Sequence, residues 1–363
     1  MDTGGEIYDL AIIGLGPAGS TLARLLDPGL KVVCLDKKSD EAKTSFKKPC
    51  GGLLAGDAQR FFASFGITLP LNVLVSPQIF CVRTLDVRSG LIRHYQRFYL
   101  NMDRHRFDLW LRSLIPHGFE VLGDVRCTQV RREGGTFKVT YVKGGEARTL
   151  SARYLAGCDG ANSLVRRSLF PGHRIRTYTA IQEWYEDEHD APFYSCVFDA
   201  ALTDCYAWGL TKNEFFIFGG AFPQKDSRER FEKLKDEVRR FGFRLEHPVK
   251  REACKVLSPA TPFEITTGGG GAFFAGEAAG FISPSSLEGF SWGFQSAMIL
   301  SEVLNEGLKQ GLSAKALHRR YFLRTLPLRF KLTLKMLKAR VLFSPLCRYL
   351  IMRSGIASVK LRR

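Results

Sequence analysis

The sequence predicts a mixed α/β fold of about two structural units, on three observations. An apolar run over residues 7 to 13 leads through a glycine turn into an apolar helix, the opening of a Rossmann-like sheet. Residues 178 to 223 are rich in aromatic and β-branched types broken by turn signals, as in an antiparallel sheet. From Tyr321 to Phe343 apolar residues recur at helical spacing, broken once by Pro327, so a helical segment closes the chain. With 363 residues, 45% apolar and 25% charged, the chain has enough apolar surface for a sizeable core. That balance excludes a disordered chain, a fibrous repeat and a disulfide-stapled mini-protein.

The opening run ends in Gly14-Leu15-Gly16-Pro17-Ala18-Gly19 and continues as Ser20 to Leu26. In a strand–turn–helix of this kind the first glycine permits the turn and the second lets backbone approach a pyrophosphate. The third, with Ala23 four residues on, lets the helix lie close to the sheet. Phosphates then sit on the helix N-terminus, where free N–H groups and the helix dipole favour negative charge. A second apolar run, Lys31 to Leu35, ends in Asp36 and Lys37, which puts an acid where an adenosine ribose needs acceptors and disfavours a 2′-phosphate. A glycine loop alone is a weak signal. The strand before it, the helix after it and the acid together predict a dinucleotide site.

The formal charge of +17 is unevenly distributed. Residues 307 to 363 hold 15 Lys and Arg and no acid, leaving 38 basic and 36 acidic residues in a nearly neutral body. The basic segment suits an anionic partner. No helix-turn-helix, zinc-finger or RNA-recognition pattern accompanies it, so nucleic acid is not expected. The 9 cysteines contain no C-x-x-C pair, so neither a disulfide framework nor a metal site is expected. No secretion signal and no run of apolar residues long enough to span a bilayer are visible, and a cytoplasmic location is the expectation.

Four further segments narrow the ligand. Asp159-Gly160-Ala161-Asn162-Ser163 to Arg167 follows the apolar Tyr154 to Cys158. Ala272 to Gly280 repeats a strand-to-turn passage and contains Gly276-Glu277. Asp103-Arg104 opens a helix, and Lys48-Pro49-Cys50-Gly51-Gly52 carries adjacent glycines that let backbone lie against a flat ring. Together these segments resemble FAD-dependent oxidoreductases of the glutathione-reductase type, in the branch of para-hydroxybenzoate hydroxylase and the geranylgeranyl reductases. Pro49 to Gly52 resembles the geranylgeranyl reductase group, the bacterial CbrA-type FAD proteins among them.

The resemblance implies FAD as cofactor, with Asp159-Gly160 near the pyrophosphate and Arg104 touching the cofactor. It sets Gly276-Glu277 at the ribityl or phosphate region and Pro49, Cys50, Gly51 and Gly52 beside the isoalloxazine ring. The family usually has Asp where this chain has Glu277; the longer arm keeps the acceptor chemistry and alters its reach. A helix starting near Phe290 buries Phe294, Ala297, Met298 and Leu304, and its N-terminus at Gly289-Phe290 is expected to face the pyrimidine edge of the flavin. Cys50 either touches the substrate side or fills space. The family's Tyr-x-Trp-x-Phe-Pro substrate pattern is matched at Tyr206 and Trp208 and then lost at Leu210-Thr211, so both aromatics are candidates for substrate contact or for sheet packing.

The expected architecture is a Rossmann-like FAD-binding domain over 1–75, 100–175 and 255–305. An inserted antiparallel-sheet substrate domain covers 76–99 and 176–254, and a basic C-terminal helical segment covers 306–363. The implied activity is reduction of carbon–carbon double bonds in an apolar, isoprenoid-like substrate, with Cys50, Tyr206 and Trp208 on the substrate side. With one complete nucleotide loop, electrons come from visiting NAD(P)H or a reduced carrier. A flavin monooxygenase and a non-catalytic FAD-bearing membrane-surface protein are the alternatives. In the C-terminal segment Phe330, Leu334, Leu337 and Val341 form one apolar stripe. Leu328, Leu332, Met336, Ala339 and Phe343 form a second, with basic residues between them. One stripe is expected on the body and the other outward, through which residues 312–363 meet an anionic membrane surface, capture an anionic substrate head or stay solvated.

Overall fold

The computed structural model describes residues 7–38, 48–186 and 193–361. Most of the polar stretch from Lys37 to Lys47, with Arg362 and Arg363, lies outside the described residues. The chain forms two compact units: 1–47, 107–176 and 257–334 make the first, and 48–106, 177–256 and 335–363 the second.

In the first unit the opening strand Ile7–Ile13 runs parallel to Val32–Leu35 on one side and to Glu146–Gly157 on the other. Glu120–Leu122 and Ala272–Phe274 extend this parallel sheet at its two ends. Strands buried on both faces need continuous apolar sequence, as Leu10 to Ile13 and Val32 to Leu35 supply. A meander of Arg126–Glu133 and Thr136–Lys143 pairs onto the long strand Glu146–Gly157. Helix Pro17–Leu25 begins with proline in its first turn, where the missing N–H has no intrahelical partner to lose. Its Leu22 and Ala23 join Ala297, Leu300 and Leu304 of helix Phe290–Lys309 in one core.

The second unit is an eight-stranded sheet in the order Lys250–Leu257, Thr177–Glu186, Phe215–Pro223, Ala207–Lys212, Tyr194–Phe198, Ile79–Asp86, Ile92–Asn101, Leu53–Leu54. One face is covered by helix Ser227–Arg239, whose Phe231, Leu234 and Val238 pack with Phe218, Phe222 and Phe243. Full burial of each such side chain contributes about 1.5–3 kcal/mol. The expected antiparallel pairing holds on both sides of Phe215–Pro223, but Tyr194–Phe198 runs parallel to Ile79–Asp86. These two strands are separated by segments of the first unit, so no tight hairpin dictates their direction.

The partition differs from the expected one at three places. Residues 48–75 and 100–106 cluster with the second sheet, because Leu53 and Leu54 pair antiparallel with Asn101 and Leu100. The segment 306–363 is not a separate layer: helix Ala314–Arg324 sends Leu317 and Tyr321 into the first core, and the Tyr321 hydroxyl donates to the Phe274 carbonyl at 2.9 Å. Helix Pro345–Ser354 is tied into the second unit by the buried pair Arg348–Asp86. The expected break at Pro327 falls at Thr325, and Pro327 lies in the first turn of helix Leu326–Phe343.

Candidate functional site

Three glycines of the opening loop have separable roles. Gly14 holds φ +93°, and a Cβ there would lie 2.7 Å from the Cys158 carbonyl oxygen. A Cβ on Gly19 would penetrate the Gly14 carbonyl. The fold itself requires these two. Gly16 is different: its backbone is extended, and a Cβ would meet no atom within 4 Å. Bare backbone at a helix N-terminus is a cradle for a pyrophosphate, and this is the observation by which the loop fits a dinucleotide.

Asp36 closes the loop from below. Its buried carboxylate accepts from the backbone N–H of Leu15 and, at 2.7 Å, from that of Lys38, leaving lone pairs for a ribose. Lys37 is exposed, whereas the Lys38 ammonium is buried against Asp108.

Asp159 lies against Gly14, and one carboxylate oxygen accepts from the N–H groups of Leu164 at 2.6 Å and Val165 at 3.2 Å. The other oxygen is buried with no partner among the described residues. Burial pushes this carboxyl above the usual carboxylate range. An orphan acceptor of this kind has room for a donor from a ligand or a water. Glu277 accepts from the Leu257 N–H at 3.0 Å through one oxygen, and its other oxygen lies 3.8 Å from where a Cβ on Gly160 would be. A Cβ on Gly276 would lie 2.7 Å from the Ala18 Cβ, so the turn and the opening helix touch. Arg166 donates to the carbonyls of Ala278 and, at 2.8 Å, of Ala161, joining the two turns. Gly14 to Gly19, Asp36, Asp159-Gly160 and Gly276-Glu277 all belong to this first unit.

Gly289 caps helix Phe290–Lys309, as expected, with Phe294, Ala297 and Leu304 buried and Met298 half-buried. The Glu288 carboxylate already accepts from the Ser291 N–H at 2.7 Å, so one N-terminal donor is taken. The Phe290 ring is buried edge-on to Phe107 at 5.5 Å, which leaves its backbone as the part able to face a ligand.

In the second unit Pro49 to Gly52 lies on one face of the sheet, fastened at both ends. The Cys254 thiol donates to the Pro49 carbonyl at 3.8 Å, and the Met102 N–H donates to the Gly52 carbonyl at 2.9 Å. Cys50 is half-buried and its sulfur accepts from the Gly52 N–H at 3.4 Å, inside its own turn. A Cβ on Gly51 would lie 3.7 Å from Leu210. Trp208, Leu210 and Lys212 alternate with Ala207 and Gly209 along one strand, so the loop shares the face that Trp208 occupies. Tyr206 and Trp208 are buried with their rings 6.0 Å apart, and the Tyr194 hydroxyl donates to that of Tyr206 at 3.4 Å. Gly219 makes room for the indole: a Cβ there would lie 2.8 Å from it. The indole N–H has no partner among the described residues. Burial raises the Tyr194 and Tyr206 phenols well above their usual range and pushes the Cys196 thiol up to about 12. Tyr194, Tyr206 and Cys196 are therefore uncharged near neutral pH, and the charge on this face is the Lys212 ammonium at the end of the strand. Arg104 sits half-buried in the first turn of helix Arg104–Ser113.

Residues 112–328 match the FAD binding domain family, and the whole chain resembles the CbrA protein of Shigella sonnei (strain Ss046), at 50% identity over 98% of each. The chain belongs to this family of FAD-binding proteins. Two solved structures share the flavoprotein's fold. A geranylgeranyl bacteriochlorophyll reductase-like protein from Thermoplasma acidophilum has a TM-score of 0.81 at 17% identity, covering 98% of this chain and 92% of that one. PqsL, a probable FAD-dependent monooxygenase from Pseudomonas aeruginosa, has 0.69 at 16%, covering 97% and 100%. FAD is thus the cofactor of an oxidoreductase or monooxygenase family whose fold this chain shares.

Lys212 is a candidate that none of the sequence motifs singles out. In this flavoprotein it ends strand Ala207–Lys212, and its buried ammonium donates to the Asn101 side-chain carbonyl at 2.7 Å and to the carbonyls of Met102 at 2.6 Å and Gly52 at 3.4 Å. A lysine closing an otherwise apolar strand was the available signal. The orphan oxygen of Asp159 had none.

Proposed function

We propose that this flavoprotein reduces carbon–carbon double bonds of an apolar, isoprenoid-like substrate. The supporting observation is the uncharged aromatic wall of Tyr194, Tyr206 and Trp208, on the same sheet face as the Pro49–Gly52 loop. A wall without ionised groups suits a hydrocarbon, and the unpartnered indole N–H of Trp208 offers one polar handle for its head. Bound FAD, once reduced by NAD(P)H or a reduced carrier, supplies the hydride for one alkene carbon, and water supplies the proton for the other.

In this reading Gly16 and Asp36 hold the nucleotide end, Asp159 accepts from a cofactor hydroxyl, and Gly276-Glu277 lines the ribityl or phosphate region. Of the second unit, Gly51 and Gly52 offer the ring a flat backbone surface and Arg104 is a candidate cofactor contact; of the first, the backbone at Gly289-Phe290 is the candidate. Tyr206 and Trp208 orient the chain of the substrate and exclude water.

The test is anaerobic. Chemically reduced protein is mixed with polyprenyl alcohols and the flavin spectrum is followed. Reoxidation with a product gaining two hydrogens supports the reading. Reoxidation only after oxygen is admitted, with a hydroxylated product, favours a monooxygenase instead, and no change in the substrate under either condition favours a non-catalytic flavoprotein.

A further inference from the structure

Helix Leu326–Phe343 has two apolar faces. Leu328, Leu332, Met336 and Ala339 are buried. On the opposite side Phe330, Leu334, Leu337 and Val341, spaced four, three and four residues apart, remain 65%, 49%, 51% and 47% exposed. A helix that needs only one apolar face to hold its place carries a second that covers nothing among the described residues. The next helix continues the pattern, with Leu346, Leu350 and Ile351 exposed.

Cations border the stripe on both flanks: Arg329 and Arg340 on one side, Lys331, Lys335 and Lys338 on the other. Among the described residues no carboxylate pairs with those three lysines, and none occurs in the sequence after residue 306. Within the second unit burial lowers the Lys338 pKa, and the like charges of Lys335 and of Arg97 on strand Ile92–Asn101 lower it further. Beside Arg97 in that strand, Phe98 is exposed and meets the exposed Phe80 edge-on at 6.0 Å.

We infer that the exposed stripe of helix Leu326–Phe343 docks on an anionic lipid bilayer, its apolar side chains entering the headgroup boundary and its flanking cations meeting lipid phosphates. Each alternative occupant leaves half of the pattern unexplained. Nucleic acid or a soluble phosphate answers the cations and leaves the apolar stripe in water. A second copy of the chain covers the stripe but sets two rows of cations against each other. A bilayer satisfies both, since lysine and arginine stems lie along apolar surface while their heads reach the phosphates. No helix among the described residues is long and apolar enough to cross a membrane, which suits attachment along the surface. The inference is independent of the reductase reading.

The experiment is co-sedimentation of the full FAD-loaded chain with vesicles of phosphatidylcholine alone or with phosphatidylglycerol added. Two variants accompany it, L334Q/L337Q and K331Q/K335Q/K338Q, with FAD absorbance and circular dichroism confirming that both fold. The expected result is salt-sensitive binding to the anionic vesicles only. Binding should weaken on the order of 100-fold in the lysine variant and about tenfold or more in the leucine variant. The inference is overturned if the wild type ignores anionic vesicles, or if both variants bind them as the wild type does. It is equally overturned if sedimentation equilibrium without lipid shows a dimer that L334Q/L337Q abolishes, because the stripe would then be a self-interface.

Discussion

Lys212 closes over Gly52: its ammonium donates to the Gly52 carbonyl at 3.4 Å, and a Cβ on residue 52 would lie 2.8 Å from its nitrogen. Gly52 also holds φ +63°, so the turn that presents two glycines side by side depends on both the missing side chain and the lysine above it.

Burial lowers the Lys212 pKa from 10.5 to about 8, with Cys50 and Asp103 opposing the shift. The unfolded chain therefore binds more protons between those two values, and stability rises with pH across that window by about 3 kcal/mol from this group. Below about pH 8 both states are protonated and the contribution is flat. Urea midpoints measured across the window should climb for the wild type and climb less for K212M. Parallel profiles would show that the ammonium is not buried in solution.

Asp159 carries the opposite sign. Its folded carboxyl is raised by burial, so charging it costs stability as pH rises from the ordinary carboxylate value through the folded one, and the cost is present at neutral pH. D159N should make the FAD-free protein more heat-resistant near pH 7 while weakening FAD binding about 10- to 100-fold, through loss of a charge-assisted hydrogen bond. A variant with wild-type FAD affinity would remove Asp159 from the cofactor site.

Trp208→Phe removes an unpartnered indole N–H and keeps an aromatic ring over Gly219. A buried unsatisfied donor costs about 1–3 kcal/mol, which offsets most of the lost packing, so melting should change little. If the N–H binds the substrate head, KM rises about tenfold with FAD affinity unchanged. Unchanged KM would make Trp208 a packing residue.

Much of this was legible in the chain because local chemistry and fold agreed. Continuous apolar runs marked the parallel strands at Ile7–Ile13 and Val32–Leu35, and helical spacing separated the buried stripe at Leu332 from the exposed one at Phe330. What stayed hidden was non-local. The pairing of Leu53 with Asn101 moved residues 48–75 out of their expected unit, and the direction of Tyr194–Phe198 against Ile79–Asp86 has no signature in either strand. Lys212 reads as an ordinary strand-end lysine until Asn101 and Met102 are seen to accept its hydrogen bonds. The unused oxygen of Asp159 becomes visible only once Leu164 and Val165 have taken the other.

The most direct test of the account is an FAD titration of the cofactor-free protein carrying a side chain at Gly16, with Gly19 as the control. Gly19→Ala forces a Cβ into the Gly14 carbonyl and should cost more than about 4 kcal/mol of stability. A Cβ on Gly16 meets no protein atom within 4 Å, so Gly16→Val should fold with a loss of about 1 kcal/mol for the poorer helix cap. FAD affinity of that folded protein should fall on the order of 100-fold or more, because the side chain occupies the pyrophosphate cradle. A folded Gly16→Val protein that takes up FAD as tightly as the wild type would contradict the placement of the cofactor on this loop.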